Sequence, residues 1–186
     1  VFVSHAFTGT REEPENRRVA GPLFWFTQHG LYAVGVTAVA LGIASAMLDA
    51  FQTLARSKTP RGRSRLADQP AVRALVARSQ AHLASARAYV LGVLNAQFDS
   101  AQTWGAMPIC ERARLRLATT HAIISAVEVT DQIHKAAGVS AIFSGTGPFE
   151  RRFRDIHTLS QQIQSRDSHF ETVGGIMLGD SPVAFY

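Results

Sequence analysis

Apolar residues recur at helical spacing through most of this chain, and the character of the pattern changes from segment to segment. From Val19 to Leu48 there is no Asp, Glu, Lys or Arg. Within that run the stretch LYAVGVTAVALGIASAML, 31–48, is apolar on every side. It continues into DAFQTLARSK, where Arg56 and Lys58 suit the negative end of a helix dipole. Thr59-Pro60-Arg61-Gly62 then stops the helix, so the pattern predicts a first helix over 26–57. Pro70 fits a first helical turn, with Asp68 as a candidate N-cap. Val72, Leu75, Val76, Leu83, Val90, Val93 and Leu94 follow at helical spacing and predict a second helix over 70–102. Gly105 and Pro108 interrupt it.

A third helix is predicted over 109–137, with Leu115, Ala118, Ala122, Ser125, Val129 and Ile133 as its inner stripe. Gly138 stands where a terminating glycine belongs, and VSAIFSGTG after it is a loop of mostly small residues. Pro148 opens a fourth helix, with Phe149, Phe153, Ile156 and Ile163 on one stripe and an end near Gly174-Gly175. Four helices with short connections predict an all-α, up-and-down four-helix bundle over 24–186. Residues 1–23 read differently. Val1-Phe2-Val3 has the look of a strand end, followed by a polar loop over 8–16 and closed by Gly21-Pro22. That segment is expected to be the end of a β domain absent from this chain, with its linker, leaving a short N-terminal strand remnant.

A helix that is apolar all round must be covered on all sides, by a large core, a neighbouring subunit or lipid. Residues 31–48 would rise about 27 Å, close to the thickness of a bilayer core. Half of them, however, are Ala, Gly, Ser or Thr. Gly35, Gly42 and Ser45, with Ala38 and Ala46, form small faces suited to close helix packing. The expectation is therefore burial between subunits of a homo-oligomer, with no membrane.

Composition narrows the function classes. The chain has 186 residues, 46% hydrophobic and 18% charged, which excludes disorder. Its single cysteine, Cys110, excludes an internal disulfide and a Cys-based zinc site, and points to a reducing, cytoplasmic setting. The net charge of +5 draws on a cluster of Arg56, Lys58, Arg61, Arg63 and Arg65. A nucleic-acid surface would interleave aromatics with these cations, and the loop has none, so no nucleic-acid partner is expected. A phosphate site and a solvated turn both stay open for that loop.

There is no G-x-G-x-x-G after a strand, no P-loop, no H-E-x-x-H and no nucleophile elbow. A self-contained hydrolase and a metal site are thereby excluded as expectations. The densest polar text is PFERRFRDIHT, 148–158. Arg154 cannot give up its proton, and Asp155 among arginines stays ionised, so this pair is expected to be a partly buried structural one.

Taken in order, several of these segments resemble the C-terminal helical domain of the acyl-CoA dehydrogenase superfamily, which includes related flavin-dependent monooxygenases. The resemblance rests on Gly21-Pro22-Leu23 with Ala40-Leu41-Gly42-Ile43-Ala44, and on Lys58-Thr59-Pro60-Arg61-Gly62 with Leu66-Ala67-Asp68-Gln69-Pro70. It rests also on Ala136-Ala137-Gly138 with Ser140-Ala141, and on Pro148, Glu150, Arg151, Arg154 and Asp155 as P-x-E-R-x-x-R-D. It implies a flavin, FAD or reduced FMN, between a β domain and this bundle, a small-molecule substrate, and a tetramer held largely by these helices. By the same resemblance Arg61 and Gly62 lie near the flavin phosphates, and Ala137 and Gly138 near a neighbour's cofactor. The dehydrogenase branch places a catalytic Glu in the stretch that here reads Ser160-Gln161-Gln162-Ile163-Gln164, with no acid. The monooxygenase-like branch often has His where this chain has Gln162, so the resemblance favours that branch. Gln162 and His157 are the candidate catalytic residues, with His169 as a further histidine in reach. The alternative expectation is a stand-alone helical oligomerisation module without catalysis.

Overall fold

The computed structural model describes residues 19, 21–104, 106–144 and 147–181. The expected strand at Val1-Phe2-Val3 and the polar loop after it lie outside the described residues. The helices are α1, Gln28–Ser57; α2, Pro70–Ser100; α3, Ile109–Ala137; α4, Phe149–Ser160; and α5, Ser168–Met177. The first four run up, down, up and down, as expected. The remainder of the predicted fourth helix is a break followed by the separate short helix α5.

Local chemistry explains most of the helix ends. Thr27 caps α1, its hydroxyl accepting from the Gly30 amide at 3.0 Å. At the other end the Lys58 amide donates to the Leu54 carbonyl. Pro70 opens α2, but the N-cap is Gln69 rather than Asp68. Asp68 is engaged elsewhere, in a fork with Arg65 at 3.0 and 3.1 Å, and that bond holds its carboxyl below the usual range. Gly138 ends α3 with φ at +58°, a conformation that favours glycine.

Helix α3 is the centre of the bundle and touches the other four helices. Its predicted stripe is buried at all six positions. One half of the core gathers Ala44, Met47 and Phe51 of α1 with Ile123, Val129 and Ile133 of α3, and Phe149 and Ile156 of α4. The other half gathers Val90 and Val93 of α2 with Leu115, Ala118 and Ala122 of α3 under Phe26. Helix α1 buries only part of its circumference. Ala33, Ala40, Ala44, Met47, Leu48 and Phe51 face inward, while Tyr32, Gly35, Val39, Gly42 and Ser45 are exposed. It is long and apolar enough to cross a membrane by composition, but one side of it is built into the bundle core.

The break after α4 has a physical cause. The amides of Gln161 and Gln162 bond back three residues, to Thr158 and Leu159, which tightens the chain out of the α-helix. Gln164 then turns inward and is 2% exposed, while Ile163, expected on the inner stripe, faces out at 38%. Polar groups on α3 hold Gln164 there, and those bonds are unavailable to a helix that simply continues.

Candidate functional site

The up-and-down frame brings the C-termini of α1 and α3 to one end of the bundle. There the Lys58 ammonium donates to the Ala137 carbonyl at 2.7 Å and to the Ser140 hydroxyl at 2.8 Å. This brace joins the turn carrying Arg61 and Gly62 to the turn carrying Ala137 and Gly138. All four predicted cofactor residues thus belong to one end. Gly62 has φ at +71° and open space where a Cβ would stand. Gly138 is likewise open on its side-chain face. Arg61, Gly62 and Arg63 are exposed. Exposed guanidiniums beside an approachable glycine backbone form a donor set suited to phosphate oxygens. Lys58 is committed to the brace.

His157 is placed differently from a free base. Its Nε2 lies 2.8 Å from Asp131 Oδ1 on α3. Its ring sits 4.4 Å from Phe153, which stacks at 4.0 Å on His134. These contacts tie α4 to α3, and they engage Nε2 within the domain. Gln162 is exposed at the start of the break. No hydrogen bond joins His157 to Gln162 among the described residues.

The segment bearing Gln162 is anchored by groups that the sequence pattern does not single out. Arg116, 5% exposed on α3, donates to the Gln164 side-chain oxygen. Burial lowers the pKa of Arg116 from its ordinary value. Thr120, one turn further on, meets the Gln164 carbonyl at 3.3 Å and His169 Nδ1 at 2.9 Å. His169 belongs to the first turn of α5. Burial, then the charges of Arg116 and Arg166, push its pKa down to about 4. Ala137 lies seventeen residues along α3 from Thr120, which is about 25 Å. The cationic end and the anchored segment are therefore well separated along the bundle.

The pairs expected at Arg154 and Asp155 are surface pairs. Arg154 bonds Glu150 at 3.4 Å and Asp155 bonds Arg151 at 3.6 Å, one turn apart on α4. Their side chains are largely open to solvent, so the expected partly buried pair does not exist. The third arginine, Arg152, donates to the Ala46 carbonyl at 2.8 Å and fixes α4 on α1. Beside it lies a groove of about 790 Å³ between Val39, Gly42 and Ala46 of α1 and Arg151, Arg152 and Asp155 at the start of α4. None of the candidate residues lines it.

The sequence model of the family described as "Acyl-CoA dehydrogenase, C-terminal domain" matches residues 34–166. The whole chain aligns at 26% identity with 47% of an indole-3-acetate monooxygenase of Acinetobacter baumannii. An indole-3-acetate monooxygenase of Pseudomonas putida is 27% identical over 89% of the chain and 42% of its own length. The chain thus spans about half the length of the curated relatives it matches. Among solved structures, XiaF from Streptomyces sp. in complex with FADH2 and glycerol superposes with a TM-score of 0.82. It is 22% identical, and the match covers 94% of this chain and 44% of that one.

Proposed function

The chain belongs to the acyl-CoA dehydrogenase family through its C-terminal domain, and on that premise we propose that it forms one wall of the flavin and substrate cleft of a flavin-dependent monooxygenase. The observation that carries this reading is the character of the segment after α4. A dehydrogenase acting on acyl thioesters needs a carboxylate base, and 160–164 holds none. What the segment has is the neutral, exposed amide of Gln162, two residues before Gln164, which Arg116 and Thr120 hold. Gln162 can donate or accept a hydrogen bond but cannot take a proton near neutral pH. Relatives named for monooxygenation of indole-3-acetate support an aromatic small-molecule substrate.

The donor set at the other end fits a flavin's phosphates. Arg61 binds phosphate oxygens, Gly62 lets the backbone approach them, and Gly138 leaves the adjoining turn unobstructed. Lys58 acts as the brace that keeps the two turns together. A relative solved with FADH2 favours FAD over FMN. When bound, the flavin supplies the reducing electrons for oxygen activation, and this chain binds, orients and shields. The separation of the two ends accords with Arg61, Gly62, Ala137 and Gly138 meeting the phosphates of a cofactor whose ring lies elsewhere. The assembly is a homotetramer, which covers the exposed apolar side of α1, and the setting is cytoplasmic. On this reading a β domain precedes residue 24 and completes the cleft.

The test is oxygen consumption with a flavin reductase, NADH, FAD and indole-3-acetate. It is run on the 186-residue chain and on the full product of its gene. Hydroxylated product from the full product and none from the chain alone is the expected result. An oligomer that yields no flavin-dependent product in either form overturns the reading in favour of an assembly module.

A further inference from the structure

Helices α1 and α2 both lean on α3 and touch each other only lightly, which leaves a long open groove between them. Its two sections, about 490 and 470 Å³, meet at Gln80. Val34, Ala38 and Leu41 of α1 and Leu83, Leu91 and Leu94 of α2 line the larger section. Leu91 is 44% exposed there. From Val34 to Arg56 of α1 the groove runs about 33 Å. Two helices wide, it offers roughly 650 Å² on each copy, which doubled falls within the range of stable protein interfaces.

The lining also sets the charge of a fitting occupant. Among the described residues no Asp or Glu lines either section, and Arg87 is the only charged residue in the larger one. Arg87 is exposed and makes no ion pair or side-chain hydrogen bond among the described residues. The groove therefore suits an apolar helix that brings a carboxylate near the level of Arg87. Helix α1 has that composition itself. It carries no Asp, Glu, Lys or Arg before Asp49, and none between Asp49 and Arg56. Ser45 and Gln52 line the groove, and Asp49 lies between them at helical spacing, on the same side of α1. Asp49 is likewise exposed, and its carboxylate has no partner among the described residues. One copy thus holds an unpaired acid on one wall of the groove and an unpaired base on the other.

We infer that the groove between α1 and α2 closes on the same groove of a second copy, about a two-fold axis running along the bundle. Helix α1 of each copy then lies over α2 of the other, and Asp49 of each pairs with Arg87 of the other. Such an axis keeps every residue at its own level. Ser45 and Arg87 share one section, and Asp49 stands one turn beyond Ser45, about 6 Å, a gap that an arginine side chain spans. Both pairs form together, because a two-fold contact presents each residue twice. Gly42 has nothing within 4 Å of the point where a Cβ would stand, so the facing helices can approach closely. At the other end Arg56 meets Arg73, which brings its own acid, Asp68 at 3.5 Å. The inference gives the proposed homo-oligomer one of its contacts. It rests on the self-association in that reading and not on the flavin.

Analytical ultracentrifugation of the full chain, without flavin, tests the contact through a charge exchange. Asp49→Arg and Arg87→Asp each set like charges against one another at both symmetric positions. Either variant alone should raise the dissociation constant of the pair roughly tenfold or more. The double variant restores acid against base and should associate like the wild type. An equal mixture of the two single variants should recover association as a heterodimer, because acid then meets base at both positions. That rescue also shows that each single variant is folded. Single variants that associate like the wild type, a mixture no stronger than its components, or a wild type that stays monomeric at every concentration reached all overturn the contact. Association that survives in the single variants rejects this contact alone. The flavoenzyme reading is judged separately, by product formation in its own assay.

Discussion

His169 lets the fold be read through a titration. Its pKa stands at about 4 in the folded chain, against 6.5 for the free side chain. Between those values the unfolded chain binds a proton that the folded chain refuses. Stability from this group is complete above pH 6.5, is lost as the pH falls towards about 4, and changes no further below it. Discounted for the ring's partial exposure, the loss is about 1–2 kcal/mol. Urea unfolding at pH 7.5 and pH 5 should show it in the wild type and not in His169→Asn. Lys58 gives a second case. Lys58→Met leaves the Ala137 carbonyl and the Ser140 hydroxyl without their donor, at a cost of about 1–3 kcal/mol. Hydrogen exchange should rise first in the Gly138 turn. Asp155→Asn, by contrast, removes an exposed pair and should move stability by less than about 1 kcal/mol. The turns at Gly62 and Gly138 were legible in the sequence, because proline, glycine and the cations mark them, whereas a cofactor beside Arg61, Gly62 and Gly138 was an expectation of the family resemblance. Arg116 and Gln164 were not legible. Each is a polar side chain whose burial depends on a partner 48 positions away, and no local pattern encodes that.

At the level of elements, the first three helices follow the apolar spacing closely, because each lays a continuous stripe against α3 or is α3 itself. The fourth does not. Its spacing continues smoothly through Ile163, and only the tertiary bonds to Gln164 break it, so periodicity alone joins α4 to α5. Glycines in α1 separate two kinds of helix surface. A Cβ at Gly30 would meet Leu115 Cδ2 at 2.9 Å and the capping Thr27 hydroxyl at 3.0 Å. Gly30→Ala should therefore destabilise the fold by about 1–3 kcal/mol through overpacking. Gly35 and Gly42 have nothing within 4 Å of the same point. In an isolated chain, alanine at either should raise stability by up to about 1 kcal/mol through helix propensity alone. Thermal melts of the three single variants compare these directly.

For the whole molecule, the same two glycines report on assembly. If α1 packs closely against another copy along Gly35, Val39 and Gly42, alanine there obstructs the approach, and the sign of the effect reverses in the assembled protein. Analytical ultracentrifugation of Gly42→Ala beside the wild type is the measurement, with a weaker association expected for the variant. Up-and-down topology was legible from four apolar segments and short connections. The bracing of the Arg61 turn to the Gly138 turn at one end of the bundle was not, because it depends on which termini the topology brings together. The bare side of α1 has a consequence of its own. If a second copy covers it, as in the proposed assembly, that is a bimolecular event, so mass action enters the folding equilibrium, and the midpoint of thermal unfolding should climb with the logarithm of protein concentration. Dilution alone would then act on this chain as a denaturant.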